Sequence, residues 1–150
     1  MNKAVIGILI LLVLLGGASI WSRKSQTNDP EVVASNGIHW HPELEIYVKG
    51  ERIEIPNNLG VGRENANLPT YSPTMGMTQI HTHTDPPIIH LEFEGKVTRE
   101  ETRLKHLFSI WQKDFMEFGT TVSMTVNGEP NAELGEYEMK HEARIVLRYE

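Results

Sequence analysis

The sequence contains no cysteine. Disulfide staples and thiolate metal sites are excluded, so any metal must be held by His, Asp, Glu, Met or backbone oxygen. Basic residues are also scarce: 14 Lys and Arg stand against 20 Asp and Glu, a formal net charge of -6. No basic stripe runs along the chain. Phosphate binding needs clustered Lys and Arg, so nucleic acid is not an expected partner. There is no Gly-rich phosphate loop and no Ser-His-Asp or Cys-His set, and Ser109 and Ser123 lie in no nucleophile motif. Internal repeats of module size and low-complexity runs are absent too.

One long apolar run is present. Ala4 to Trp21 reads AVIGILILLVLLGGASIW, with no charge and Ser19 its only polar side chain. As a helix it would be about 27 Å long, close to the hydrocarbon thickness of a bilayer. A buried soluble helix would carry a polar stripe, and this one has none. Residues 1–21 therefore read as an N-terminal transmembrane anchor. A cleaved signal peptide is the alternative, since Lys3 supplies a basic start and Gly16 and Ala18 suit cleavage after Ala18. Arg23 and Lys24 follow the run and weaken the positive-inside argument. The expected arrangement is a single-pass chain with its C-terminal domain outside the cell membrane, or a secreted domain after cleavage.

Residues 22–36 are polar and aperiodic and read as a linker, which leaves 37–150 as one domain. From Ile38 the pattern alternates. Ile38, Trp40, Leu44, Ile46 and Val48 share one parity, and His39, His41, Glu43, Glu45 and Tyr47 share the other. Period two marks a half-buried strand. Lys49-Gly50 then separates it from Glu51–Ile55, a hairpin signature. Asn57 to Gln79 shows no sustained period and reads as a long functional or disordered loop. Two short strands are expected at Ile80–Thr84 and Ile88–Glu94. Thr98 and Glu101 fit a capping box, and Leu104, Leu107, Phe108, Trp111 and Phe115 follow at helical spacing. That predicts a helix of about 17 residues ending near Gly119. Strands near Thr121–Val126 and Arg144–Tyr149 close the chain. Strands, one helix and more strands make an α+β fold, a mostly antiparallel or mixed sheet with one packed helix, pictured as a grasp-like roll.

The chain has seven histidines, and five lie between positions 39 and 90: His39-Trp40-His41, His81-Thr82-His83, and His90. On a strand, residues i and i+2 project from one face with bases about 6–7 Å apart, so each His-x-His pair can reach one ion. All five fall on the parity opposite the apolar residues, which predicts a polar face shared with Glu43, Glu45, Asp85 and Glu92. The expected metal set is His39, His41, His81, His83, His90 and Asp85, with Asp85 or Glu92 as ligand, orienting partner or general base. His106 and His141 read as solvated surface residues, and Trp40 as core. Imidazole suits Zn, Cu, Ni and Fe, whereas Ca and Mg prefer oxygen. The affinity order favours copper slightly over zinc. Met75 and Met77 carry thioethers but read as ordinary loop residues.

The segments GIHWHPELEIYVKGERIEIP, IHTHTDPPIIHLEFEG and TVSMTVNGEPN…YEMKHEARIVLRYE resemble a family of membrane-anchored bacterial envelope proteins. Its members carry a His-Trp-His strand, a later His-Thr-His and a nearby Ile-His behind a hydrophobic N-terminus. The resemblance implies that the histidine pattern is a family trait, and it supplies no activity. A cupin fails on spacing: Glu92 lies nine residues after His83, where a cupin places its Glu three or four after the second His.

Three functions compete on these grounds. The first is an extracytoplasmic protein that binds copper or zinc for storage, delivery or sensing. The second is a histidine-ligated metalloenzyme of unknown substrate. The third is a metal-free domain that binds a protein partner in the envelope.

Overall fold

The computed structural model describes residues 29–150, with Gly7 alone before them. The apolar run and most of the linker lie outside the described residues. Among the described residues, no helix is long and apolar enough to cross a membrane. The strands in chain order are β1 (Val32–Ala34), β2 (Ile38–Trp40), β3 (Glu43–Val48), β4 (Glu51–Ile53), β5 (Tyr71–Ser72), β6 (Met77–Thr78), β7 (Ile80–His81), β8 (His90–Phe93), β9 (Val97–Thr98), β10 (Val122–Val126), β11 (Glu129–Asn131) and β12 (Arg144–Tyr149). Helix α1 covers Lys105–Ile110. The architecture is α+β, as the order of sequence patterns predicts.

Five strands form a mixed sheet in the order β11-β10-β12-β3-β4, in which β12 and β3 run parallel and the other pairs antiparallel. The parallel register sets Leu44 beside Ile145, Ile46 beside Leu147 and Val48 beside Tyr149. The apolar parity of both strands thus builds one continuous core face. Leu44, Ile46, Ile145, Leu147 and Tyr149 are all buried there with Leu107, Phe108 and Ile110 of α1. Each such side chain contributes about 1.5–3 kcal/mol by leaving water. Lys49 and Gly50 both have positive φ and close the β3–β4 hairpin as a two-residue turn.

Strands β2, β8 and β7 form a second, antiparallel sheet in that order. The stretch 38–48, which alternates without a break in sequence, is divided between the two sheets at Pro42. Proline has no N–H to give a ladder, and here its carbonyl accepts from Ile89 while Leu44 N–H donates to the Pro87 carbonyl. The corner so formed keeps the sheets in contact through one bridge, Glu43 to Ile88.

Three expectations differ from the structure. The stretch read as linker contains a strand, β1, which pairs with β9. The loop 57–79 is built: it carries the β5–β6 hairpin and lies against β7. Thr78 N–H donates to the Gly60 carbonyl, and Thr82 Oγ1 accepts from Leu59 N–H and donates to the Pro56 carbonyl. The long helix is absent. The Glu101 carboxylate does accept from the Thr98 N–H and hydroxyl, at 2.8 and 2.6 Å, but this closes a 3-10 turn at Glu100–Thr102. The backbone then pairs with residues 137–139: Leu104 N–H reaches the Tyr137 carbonyl and Met139 N–H the Thr102 carbonyl. Those tertiary hydrogen bonds hold Arg103 extended and override local helix propensity. Gln112, at φ 57°, ends α1, and Lys113 N–H caps the Phe108 carbonyl. Gly119 stops no helix. It makes room for the C-terminal backbone, since a Cβ there would lie 2.7 Å from the Glu150 carbonyl oxygen.

The parallel β3–β12 seam is therefore the sensitive part of the core. Ile46→Ala should cost about 2–5 kcal/mol in urea unfolding, whereas Met116→Ala, at a 40% exposed position, should stay within about 0.5 kcal/mol of the parent.

Candidate metal centre

Strand β8 is the middle strand of the small sheet, and its alternation sorts the chemistry. Leu91 and Phe93 face the core beside Trp40, Ile38 and Ile80. His90 and Glu92 take the other face. There His39 pairs directly with Glu92, and His81 with His90. Directly opposed residues in an antiparallel pair have Cβ atoms about 4.5–5.5 Å apart, so both His-x-His pairs are carried to the same strand from its two sides.

All five histidines of the sequence pattern are brought together, in two groups that share His90. The first is His39, His41, His90 and Glu92; the second is His81, His83 and His90. Within each group, one nitrogen or carboxylate oxygen per residue lies within 4.8 Å of the others. In the first, His39 Nε2 is 3.0 Å and His90 Nδ1 3.9 Å from Glu92 Oε1. Ligands around a tetrahedral zinc ion are about 3.4 Å apart, so these separations bracket what one ion requires. The rings form an unbroken series, with centroids 4.7 Å apart for His39–His41, 4.8 Å for His41–His90, 4.6 Å for His90–His83 and 4.8 Å for His83–His81.

Two imidazoles have a defined tautomer. The His81 ring is fully buried, and its Nδ1–H donates to the Thr78 carbonyl at 2.9 Å. The lone pair of His81 is thereby placed on Nε2, which is buried without a hydrogen-bond partner. The His90 Nε2–H donates to the Asp85 carboxylate, at 3.2 Å to Oδ2, so its lone pair sits on Nδ1, which is likewise buried and unpartnered. A ring N–H held by a carbonyl or carboxylate while the other nitrogen stays free is the usual preparation of a metal-ligating histidine. Burial lowers the pKa of His81 from 6.5 to about 4, so the ring is neutral at neutral pH. Partial burial, and then the neighbouring rings of His90, His39 and His141, also lower that of His41.

The single polar face expected from parity needs correction. His39 is solvent-exposed and His83 half-buried, but His81 and His90 are inside the protein. The loop that lies along β7 screens an edge that sequence alternation treats as open. Glu92 joins the first group, while Asp85 belongs to neither and orients His90. His141 is exposed, as expected, and its Nδ1 also accepts the His41 N–H at 3.2 Å. The parallel register of β12 on β3 brings position 141 beside position 41, and no local signal at Lys140–Glu142 announces it. His106 stands apart beside Glu100, half-buried rather than solvated. Trp40 packs against the core, as expected. Met75 and Met77 belong to the β5–β6 hairpin, where Met77 pairs with Ser72 and bridges Val61.

No protein-family model, no curated protein and no solved structure matches the chain.

The buried imidazole of His81 sets a pH dependence. The unfolded chain protonates His81 below 6.5, whereas the folded chain keeps it neutral to about 4. Between those values the unfolded state binds the extra proton, so stability falls as pH drops through the window, and above 6.5 the ring adds no dependence. The expected loss is about 3 kcal/mol. Urea unfolding in EDTA at pH 7 and pH 4 should show a smaller fall for His81→Asn, whose amide can keep the Thr78 hydrogen bond without titrating. An identical fall in both proteins would remove His81 as the cause.

Proposed function

We propose that this protein is a membrane-anchored, extracytoplasmic binder of a transition metal, copper ahead of zinc, that holds the ion for delivery or sensing. One observation carries the reading: two buried imidazole nitrogens, His81 Nε2 and His90 Nδ1, have no hydrogen-bond partner and belong to ligand groups of fitting size. A buried polar atom left unpaired costs about 1–3 kcal/mol, and an ion accepting both lone pairs would remove that cost. Neutral nitrogen donors with one carboxylate favour the metals at the copper end of the affinity order over Ca or Mg. The apolar run Ala4 to Trp21 supports the outer location, and the absence of thiolates agrees with a compartment that need not be reducing. We also take the fold as a grasp-like roll. The strand order supports this, with a first hairpin beside a last strand that runs parallel to it.

A metalloenzyme is the second reading, favoured by one feature. A groove of about 480 Å³, walled by Trp40, Arg99, Thr102, Met139 and His141, borders the His41 side of the site. A substrate lying there would approach the first group, whose exposed His39 leaves the ion accessible to water.

The test uses the full-length chain stripped with EDTA and titrated calorimetrically with Cu(II) and with Zn(II). Binding below about micromolar Kd is expected for at least one ion, and His90→Ala should weaken it by about 100-fold. At 100 times Kd the ion should raise stability by about 2.7 kcal/mol. Absence of binding by both ions at micromolar concentration would sink the proposal.

A further inference from the structure

We infer that the two histidine groups are successive stations for one ion, and that His90 passes it from the exposed group to the buried one. This rests on the metal-binding reading. An ionised carboxylate only accepts hydrogen bonds, so Asp85 keeps the proton on His90 Nε2 and leaves one lone pair, on Nδ1. Both groups count His90 among their ligands. One lone pair cannot complete two coordination shells at once, so an ion held with His90 in one group deprives the other of its shared ligand.

The groups differ in kind. The outer one is open to solvent: the His39 side chain is 66% exposed and Glu92 29%. It includes a carboxylate, whose charge attracts a hydrated cation and offsets part of the ion's own. The inner one is all imidazole, with His81 buried and locked by the Thr78 carbonyl. A buried, pre-oriented nitrogen set binds copper or zinc more tightly but is slow to reach from water. The outer group is quick to reach and holds the ion less firmly. His90 is the one residue common to them, and its ring stands 4.8 Å from His41 and 4.6 Å from His83. Transfer replaces His39, His41 and Glu92 by His81 and His83 while the His90 bond is kept. No proton is gained or lost by His90, and no electron moves. Asp85 is a positioning residue in this scheme, because it holds the ring proton on Nε2 and so keeps the single lone pair on Nδ1.

The experiment mixes the EDTA-stripped full-length chain with Cu(II) in a stopped-flow instrument and follows the d–d absorption of the imidazole-bound ion. The parent chain should show a fast phase proportional to Cu(II) concentration, then a slower phase independent of it, and one tightly bound ion per chain. His39→Ala with Glu92→Gln should slow the fast phase by about tenfold or more and change the final Kd by less than about threefold. His83→Ala should keep the fast phase, lose the slow one and weaken Kd by about 100-fold. His83→Gln replaces it should the alanine variant lose its folded circular-dichroism spectrum. An unchanged fast phase in the outer variant overturns the proposal, as does an outer variant weakened as much as the inner one, which would mean a single joint site. Two tight ions per chain overturn it as well. A parent chain that binds no Cu(II) or Zn(II) overturns the metal-binding reading itself.

Discussion

Strand β8 is hydrogen-bonded on both edges, by β2 on one side and β7 on the other, and the site depends on that double pairing. A paired strand has its alternation locked, because a slip of one residue would turn Leu91 and Phe93 outward and His90 and Glu92 into the core. Once β8 is locked, register delivers the partners. His39 must face Glu92 and His81 must face His90, since their neighbours Trp40 and Ile80 each meet Leu91 in the core. The hydrophobic packing of one face thus positions the chemistry of the other.

The second dependence is electrostatic. Burying imidazoles is tolerable only if they stay neutral and if at least one nitrogen is satisfied. Burial itself holds His81 below its usual pKa, and the Thr78 carbonyl and the Asp85 carboxylate each satisfy one ring nitrogen, of His81 and His90 respectively, which decides the nitrogen left with a lone pair. The same two hydrogen bonds therefore support the buried rings within the fold and leave one lone pair on each. The exposed His39 and the half-buried His83 and His41 need no such support, and they supply the solvent-facing part of each group.

The parts lying farthest apart in sequence meet at the parallel β3–β12 seam. It carries the core, and it also brings His141 against the His41 backbone and opens the groove beside Trp40. A change in the packing of β12 would therefore be felt at the site through its neighbour's main chain, without any altered ligand.

Much of this was legible along the chain. Period-two runs located β3 and β8, the Lys49-Gly50 turn closed the β3–β4 hairpin, and the two His-x-His pairs with His90 marked the residues that converge. These are local properties: alternation, turn chemistry and i, i+2 spacing act between near neighbours and are written in the order of side chains. The division at Pro42, the shortened helix, the burial of His81, the role of Glu92 and the approach of His141 were not legible. Each depends on a backbone partner far away in sequence: the Pro87 and Ile89 backbone at Pro42, residues 137–139 at the helix start, the Leu59–Gly60 loop at β7, β2 at Glu92 and β12 at His141. Which residues carry the donor atoms was determined by the sequence alone. How those donors divide into an open and a buried group around one shared imidazole was decided only by the tertiary structure, because burial and tautomer depend on what the rest of the chain packs against each ring.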